Sequence, residues 1–185
     1  MRILITQLFT VYCSLTFGQD KYNYVHFNKL TEVTGTEYVI ASIENVGKMF
    51  ETKERYFLFI NTNTGQTKKV DFPKDAYIEN FQQIRIDSLG INEIIVFART
   101  IDLDGKKGID WEDPKQVIIL SKDGQEKNQL TDNNFFVSTW TVNRKSGTIV
   151  ITGYFDTNNN NKYDKTDKSE VQIFNLKTLR LIFKI

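Results

Sequence analysis

The residues best placed to do chemistry lie in one short stretch, DTNNNNKYDKTD, from Asp156 to Asp167. With Asp156 as position 1, oxygen-bearing side chains fall at Asp156, Asn158, Asn160, Asp164 and Asp167, positions 1, 3, 5, 9 and 12. Lys162, at position 7, offers its backbone carbonyl. Alternate side chains on a tightly curled loop point the same way, so the first three oxygens converge on one point. Calcium takes about six to eight hard oxygens at roughly 2.3–2.6 Å, which carboxylates, amides and carbonyls can supply. Asparagine gives an oxygen without adding another repelling charge. Four consecutive asparagines therefore suit a ligand ladder and its bend.

A second ladder precedes it. Asp102, Asp104, Asp110 and Asp113 align with Asp156, Asn158, Asp164 and Asp167 at a constant offset of 54 residues. This earlier loop carries five acids against two lysines, a net charge of −3; the later one carries three against two, a net −1. Position 5 of the earlier loop is Lys106, which cannot ligate a cation. Charge favours the earlier loop and ligand completeness the later one. Completeness weighs more, because diffuse attraction does not replace a missing ligand.

The spacing resembles the EF-hand calcium loop, and aspartate at position 12 resembles its dockerin variant. Position 6 is Asn161 where those loops have glycine, and asparagine tolerates the left-handed conformation better than most residues. A strand-like run follows where those loops continue into a helix. Calcium loops between two strands belong to the integrin-α type of propeller with its DxDxDG pattern, and 156–167 resembles that arrangement. The resemblance implies structural calcium.

The elements that must hold these loops repeat as well. Apolar runs flank each ladder, Glu93–Ile101 with Gln116–Ser121, and Thr148–Phe155 with Val171–Leu176. A weaker copy surrounds Tyr38–Ile43 and Arg55–Ile60, with Glu44, Asn45, Glu51 and Glu54 scattered between them. β-branched and aromatic residues dominate, and no segment carries a 3.6-residue apolar stripe. The sequence thus predicts an all-β domain over 19–185. It divides into three tandem four-stranded antiparallel meanders, at about 22–73, 80–131 and 136–185. Asp75–Phe81 is expected to form a helical turn between units. The array resembles the propeller repeats of bacterial periplasmic proteins of the TolB-like type. Three blades do not easily close a ring, so an open arc or completion by oligomerisation is expected. The alternative fold is a β-sandwich.

Residues 1–18 read as a signal peptide: Arg2, an apolar run to Phe17, then small Thr16 and Gly18 before a cut at Gln19. Cys13 belongs to that run, so the mature chain has no cysteine and no disulfide. The run is too short and interrupted for a membrane span, and the mature chain is expected in the periplasm or secreted. The 24 Lys and Arg nearly balance 23 Asp and Glu. With no basic stripe, nucleic acid is excluded as a partner.

Catalytic signals are absent from the sequence. The one histidine, His26, has no identifiable partner, no zinc spacing exists, and no glycine-rich phosphate loop occurs. Trp111 and Trp140 could line a sugar- or peptide-binding surface; Trp140 reads better as core and Trp111 as a loop cover. The function expected is an exported, non-catalytic binding or scaffolding module for a protein or glycan, with calcium in its loops and self-association through blade edges. The alternative is a hydrolase or lyase acting on glycan at a propeller face.

Overall fold

Two runs, INEIIVFAR (Ile91–Arg99) and QVIILS (Gln116–Ser121), are apolar at both odd and even positions. A strand alternates its side chains between two faces, so such runs belong to a sheet buried on both sides. The computed structural model describes residues 27, 29–42, 55–106 and 108–185, and these runs are the centre of its middle sheet.

The first sheet contains β1 (Lys29–Glu32), β2 (Tyr38–Ser42), β3 (Arg55–Asn61) and β4 (Thr67–Phe72). The second contains β5 (Tyr77–Ile86), β6 (Ile91–Arg99), β7 (Gln116–Ser121) and β8 (Lys127–Gln129). The third contains β9 (Phe135–Asn143), β10 (Thr148–Phe155), β11 (Lys168–Asn175) and β12 (Leu181–Lys184). Each is an antiparallel meander with its strands in chain order, and none closes into a barrel. The architecture is the all-β, three-meander array that the sequence predicts, with three sheets rather than the two of a sandwich.

The sheets stack face to face through two cores. Ile94, Val96 and Ala98 of β6, with Ile118 and Leu120 of β7, pack on Ile40, Phe57, Phe59 and Val70 of the first sheet. The intervening Ile95, Phe97, Val117 and Ile119 pack on Phe135, Val137, Ile149, Ile151 and Phe174 of the third. Each fully buried side chain of this size contributes about 1.5–3 kcal/mol.

Two glycines mark close approaches. Gly124, in the turn between β7 and β8, has φ +72°, and a Cβ there would lie 2.5 Å from the Phe59 ring of the first sheet. At Gly153 a Cβ would lie 2.4 Å from the Phe136 carbonyl oxygen. The β9–β10 register shifts beside it, where Gly153 faces Val137 and Thr152 faces Thr139, leaving Ser138 as the extra residue of a bulge. One extra residue switches side-chain parity. Phe135 and Val137 before the bulge, and Trp140 and Val142 after it, therefore all join the same core.

The helical turn expected at Asp75–Phe81 does not form. A turn closes at Ala76, whose N–H donates to the Pro73 carbonyl, and β5 begins at Tyr77 opposite Arg99. Pairing with β6 over the whole strand outweighs the weak local preference. The signal segment 1–18 with Cys13, His26, and the loop with Glu44, Asn45, Glu51 and Glu54 lie outside the described residues. Among the described residues, no helix is long and apolar enough to cross a membrane.

Candidate metal centre

The two acidic loops connect β6 to β7 and β10 to β11, so they leave the same end of adjacent sheets. Their internal hydrogen bonds match position by position at Asp113 and Asp167, Asp104 and Asn158, and Asp110 and Asp164, while Asp102 and Asp156 each gather two N–H groups at different positions. Asp113 accepts the Leu103 N–H at 2.8 Å and the Asp110 N–H at 2.8 Å. Asp167 accepts the Thr157 N–H at 3.4 Å and the Asp164 N–H at 2.8 Å. Asp104 accepts the N–H two residues on, from Lys106, as Asn158 does from Asn160. Asp110 and Asp164 do the same with Glu112 and Thr166. Asp102 binds the Gly105 and Gly108 N–H groups; Asp156 binds those of Asn160 and Asn161. Sequence offset and three-dimensional structure agree that the loops are two copies of one element.

The backbone bends where the residue types allow. Gly105 (φ +69°) and Gly108 (φ +79°) curl the earlier loop, and Asn159 (φ +55°) and Asn161 (φ +61°) curl the later one. The four asparagines thus divide by parity: Asn158 and Asn160 bring their side chains to the loop interior, while Asn159 and Asn161 take left-handed backbone. The sequence points to Asn161 in this role and misses Asn159.

Side-chain placement differs between the copies. In the earlier loop, carboxylate oxygens of Asp102, Asp104 and Asp113 all lie within 4.8 Å of one another. Asp113 is buried, and Asp102 and Asp104 are half-buried. Asp110 is not part of that triad; its carboxylate caps the Glu112 N–H at 2.8 Å. In the later loop, the Asn158 and Asn160 amides donate to Asp164 Oδ2 at 3.0 and 2.6 Å. Rotating either amide about its last torsion exchanges its NH2 for its oxygen. Lys162 donates its N–H to Asn160 Oδ1 at 2.9 Å. Asp156 and Asp167 are buried at the base of this loop.

The electrostatics follow from these contacts. The Thr166 hydroxyl and then its N–H, with the Asn158 amide, hold Asp164 well below the usual carboxylate range. At Asp104 burial opposes ionisation, but the Lys106 N–H and ammonium outweigh it and lower the pKa, and Lys162 adds its charge. Lys106 Nζ lies 3.3 Å from Asp104 Oδ2. In this arrangement two lysines, one from each loop, partly neutralise the triad. A divalent cation would take over that role. The chemistry of the donor set fits calcium: hard carboxylate oxygens gathered at one point, without sulfur or imidazole.

A second acidic group lies at the opposite end of the middle sheet, and the sequence gives no sign of it. Glu93, at the start of β6, faces Ser121 across the ladder. With Ser121, Asp123 and Glu126 from the β7–β8 turn it lines a depression of about 330 Å³. Burial, then the charges of Glu126 and Asp123, push the Glu93 pKa up to about 7. No single-stretch pattern could reveal it, because its partners come from a turn 30 residues away.

Trp140, expected in the core, is half-buried and packs against the core between the second and third sheets. Trp111 is not a loop cover: it is 78 % exposed. No family model, curated protein or solved structure matches the chain.

Proposed function

We propose that this protein is an exported, propeller-like module that binds or scaffolds a partner without catalysis, and that calcium stiffens its strand-connecting loops. The observation that carries the reading is the Asp102, Asp104 and Asp113 triad, set in a loop whose hydrogen bonding recurs in 156–167. Asp102, Asp104, Asp110 and Asp113 would hold one ion. Asp156, Asn158, Asn160, Asp164, Asp167 and the Lys162 carbonyl would hold the other. The ion supplies charge neutralisation and loop order. Loops pinned between paired strands suit a structural role better than a sensor's large movement.

Extracellular calcium modules have dissociation constants on the order of 10⁻⁴ to 10⁻³ M. At about 1 mM calcium, mass action adds about 0.4–1.4 kcal/mol per site. That orders a loop without being needed for folding. The test is a calcium titration followed by melting temperature and by mass in solution. Calcium should raise the melting temperature by a few degrees and a chelator should reverse it. A transition that neither moves would refute the calcium reading.

The same titration tests assembly. Strand β12 is an edge, with Leu181, Ile182, Phe183 and Ile185 exposed, which supports self-association. Light scattering should show mass rising with concentration.

A second reading, glycan hydrolysis, draws on Glu93. A carboxyl whose pKa is pushed up to about 7, with other acids beside it, has the character of a general acid. Turnover of glycan that disappears in Glu93→Gln would replace the non-catalytic reading.

A further inference from the structure

Exposed apolar surface marks a binding site when it is contiguous rather than scattered, and three large aromatic side chains stand together at the end of the molecule that carries the acidic loops. Tyr77 begins β5, Trp111 tips the earlier loop and Tyr163 lies in the later one; they are 46 %, 78 % and 52 % exposed. Two cavities join them. One, of about 450 Å³, is bounded by Trp111 and Tyr163, with Phe136 and Tyr154 also in its lining. The other, of about 550 Å³, runs from Trp111 to Tyr77. Trp111 and Arg99 line both, so the two form one groove with Trp111 as the ridge between its halves.

The backbone that carries Trp111 and the ring of Tyr163 are held in place. Trp111 sits in a turn closed by the Asp113 N–H on the Asp110 carbonyl and by the Asp110 N–H on the Asp113 carboxylate. Tyr163 packs on Tyr154 with ring centroids 4.7 Å apart, and on Phe136 at 6.3 Å. Such platforms lose little freedom when a ligand stacks on them.

Charge narrows the ligand. Arg99, Lys115 and Lys162 line the groove, and so do Asp75, Glu79 and Glu112. Arg55 and Asp110 add one of each sign, and the Asp113 carboxylate is turned into its own loop. Glu79 lies 3.3 Å from Lys115 and 3.7 Å from Arg99, so these groups already compensate one another. A groove without net sign does not select an anion or a cation. Paired donors and acceptors between flat aromatic faces do suit a ligand with apolar C–H faces and a rim of neighbouring hydroxyls. An extended peptide is less well served, because the bulge at Ser138 interrupts the β9 edge that lines the groove.

We infer that the groove from Tyr77 across Trp111 to Tyr163 binds an uncharged glycan chain, with sugar rings stacked on Trp111 and Tyr163. This rests on the binding-module reading and names its partner class. It also gives the metal loops a purpose, since each carries one of the two platforms.

The test is a fluorescence titration with neutral hexasaccharides (cellohexaose, laminarihexaose, xylohexaose and mannohexaose) and with oligogalacturonate as the acidic comparison. At least one neutral hexasaccharide should bind saturably, and about 0.5 M salt should change its affinity little, because screening acts on charges. Trp111→Ala and Tyr163→Ala should each weaken binding about tenfold, the loss of one stacked aromatic. Trp111→Tyr should keep most of it, and Lys177→Ala, in the exposed β11–β12 turn at the other end of the third sheet, should change nothing. No binding of any neutral sugar, binding indifferent to Trp111→Ala, or salt-sensitive binding of the acidic oligomer alone would overturn the inference. A calcium response without sugar binding sinks the glycan inference and leaves the metal reading intact. Sugar binding without a calcium response does the reverse.

Discussion

The indole of Trp140 lies against the ring of Phe97, centroids 4.4 Å apart and planes 15° from parallel. Trp140 comes from β9 and Phe97 from β6, so the pair joins the third sheet to the second. Ser138 makes this possible, since without the bulge residue Trp140 would point to the other face. Trp140→Ala should cost about 2–4 kcal/mol, below the figure for a fully buried tryptophan because one side remains wet. Trp140→Phe should cost less than half of that. Urea unfolding measures both.

Gly153 sits where β9 and β10 change register. An alanine Cβ there meets the Phe136 carbonyl oxygen at 2.4 Å and the Phe135 ring at 2.8 Å. Phe135 is fully buried and cannot give way. Gly153→Ala should destabilise the chain by about 1–3 kcal/mol through overpacking. Thermal denaturation checks it, with Gly65→Ala as the comparison; that turn has φ +72° but open space around it.

Within the earlier loop, Asp113 and Asp104 have separable roles. Asp113 satisfies two backbone N–H groups, so Asp113→Ala should cost about 1–3 kcal/mol even in chelator. Asp104 is half-buried beside Lys106, and Asp104→Ala should leave the chelated protein nearly unchanged while removing the calcium response of this loop. Lys106→Asn places an amide where the later loop has Asn160, and should tighten calcium binding. Melting curves with and without calcium separate all three.

Glu93 makes stability depend on pH in an uncommon direction. Its pKa in the folded chain is about 7, against 4.5 for the unfolded group. Between these values the folded state holds a proton that the unfolded state has released. Stability from this group is therefore complete below the lower value, declines as pH rises through the window, and is gone above the upper one. The group is only half-buried, so solvent screening reduces the effect to about 1–2 kcal/mol. Glu93→Gln should flatten that part of the profile between about pH 4.5 and 7.

Much of this molecule is legible locally. The unbroken apolar runs in β6 and β7 announce a sheet covered on both sides, and the spacing of Asp102 and Asp156 announces the paired loops. The limits have physical causes. The offset of 54 holds through the loops and into β11, yet the strand before each loop is displaced by one residue. Ile94 pairs with Leu120, whereas Ile149 pairs with Phe174. A slip of one flips every side chain, and only the partner strand reveals it. Tyr77 and Tyr163 give no local sign that they share a groove with Trp111, because three separate strand ends bring them together. The two acids beside Glu93, Asp123 and Glu126, are hidden for the same reason.

The two central strands of the middle sheet, β6 and β7, turn neither face to water. Every apolar residue of β6 and β7 is committed to one neighbouring sheet or the other, and neither neighbour can be removed without baring half of them. The three meanders are repeats in sequence but not interchangeable modules: a fragment ending after β8 would keep its strands and lose the cover over Ile95, Phe97, Val117 and Ile119. Amide protons of β6 and β7 should consequently exchange only through global unfolding, making the centre of the array its slowest clock.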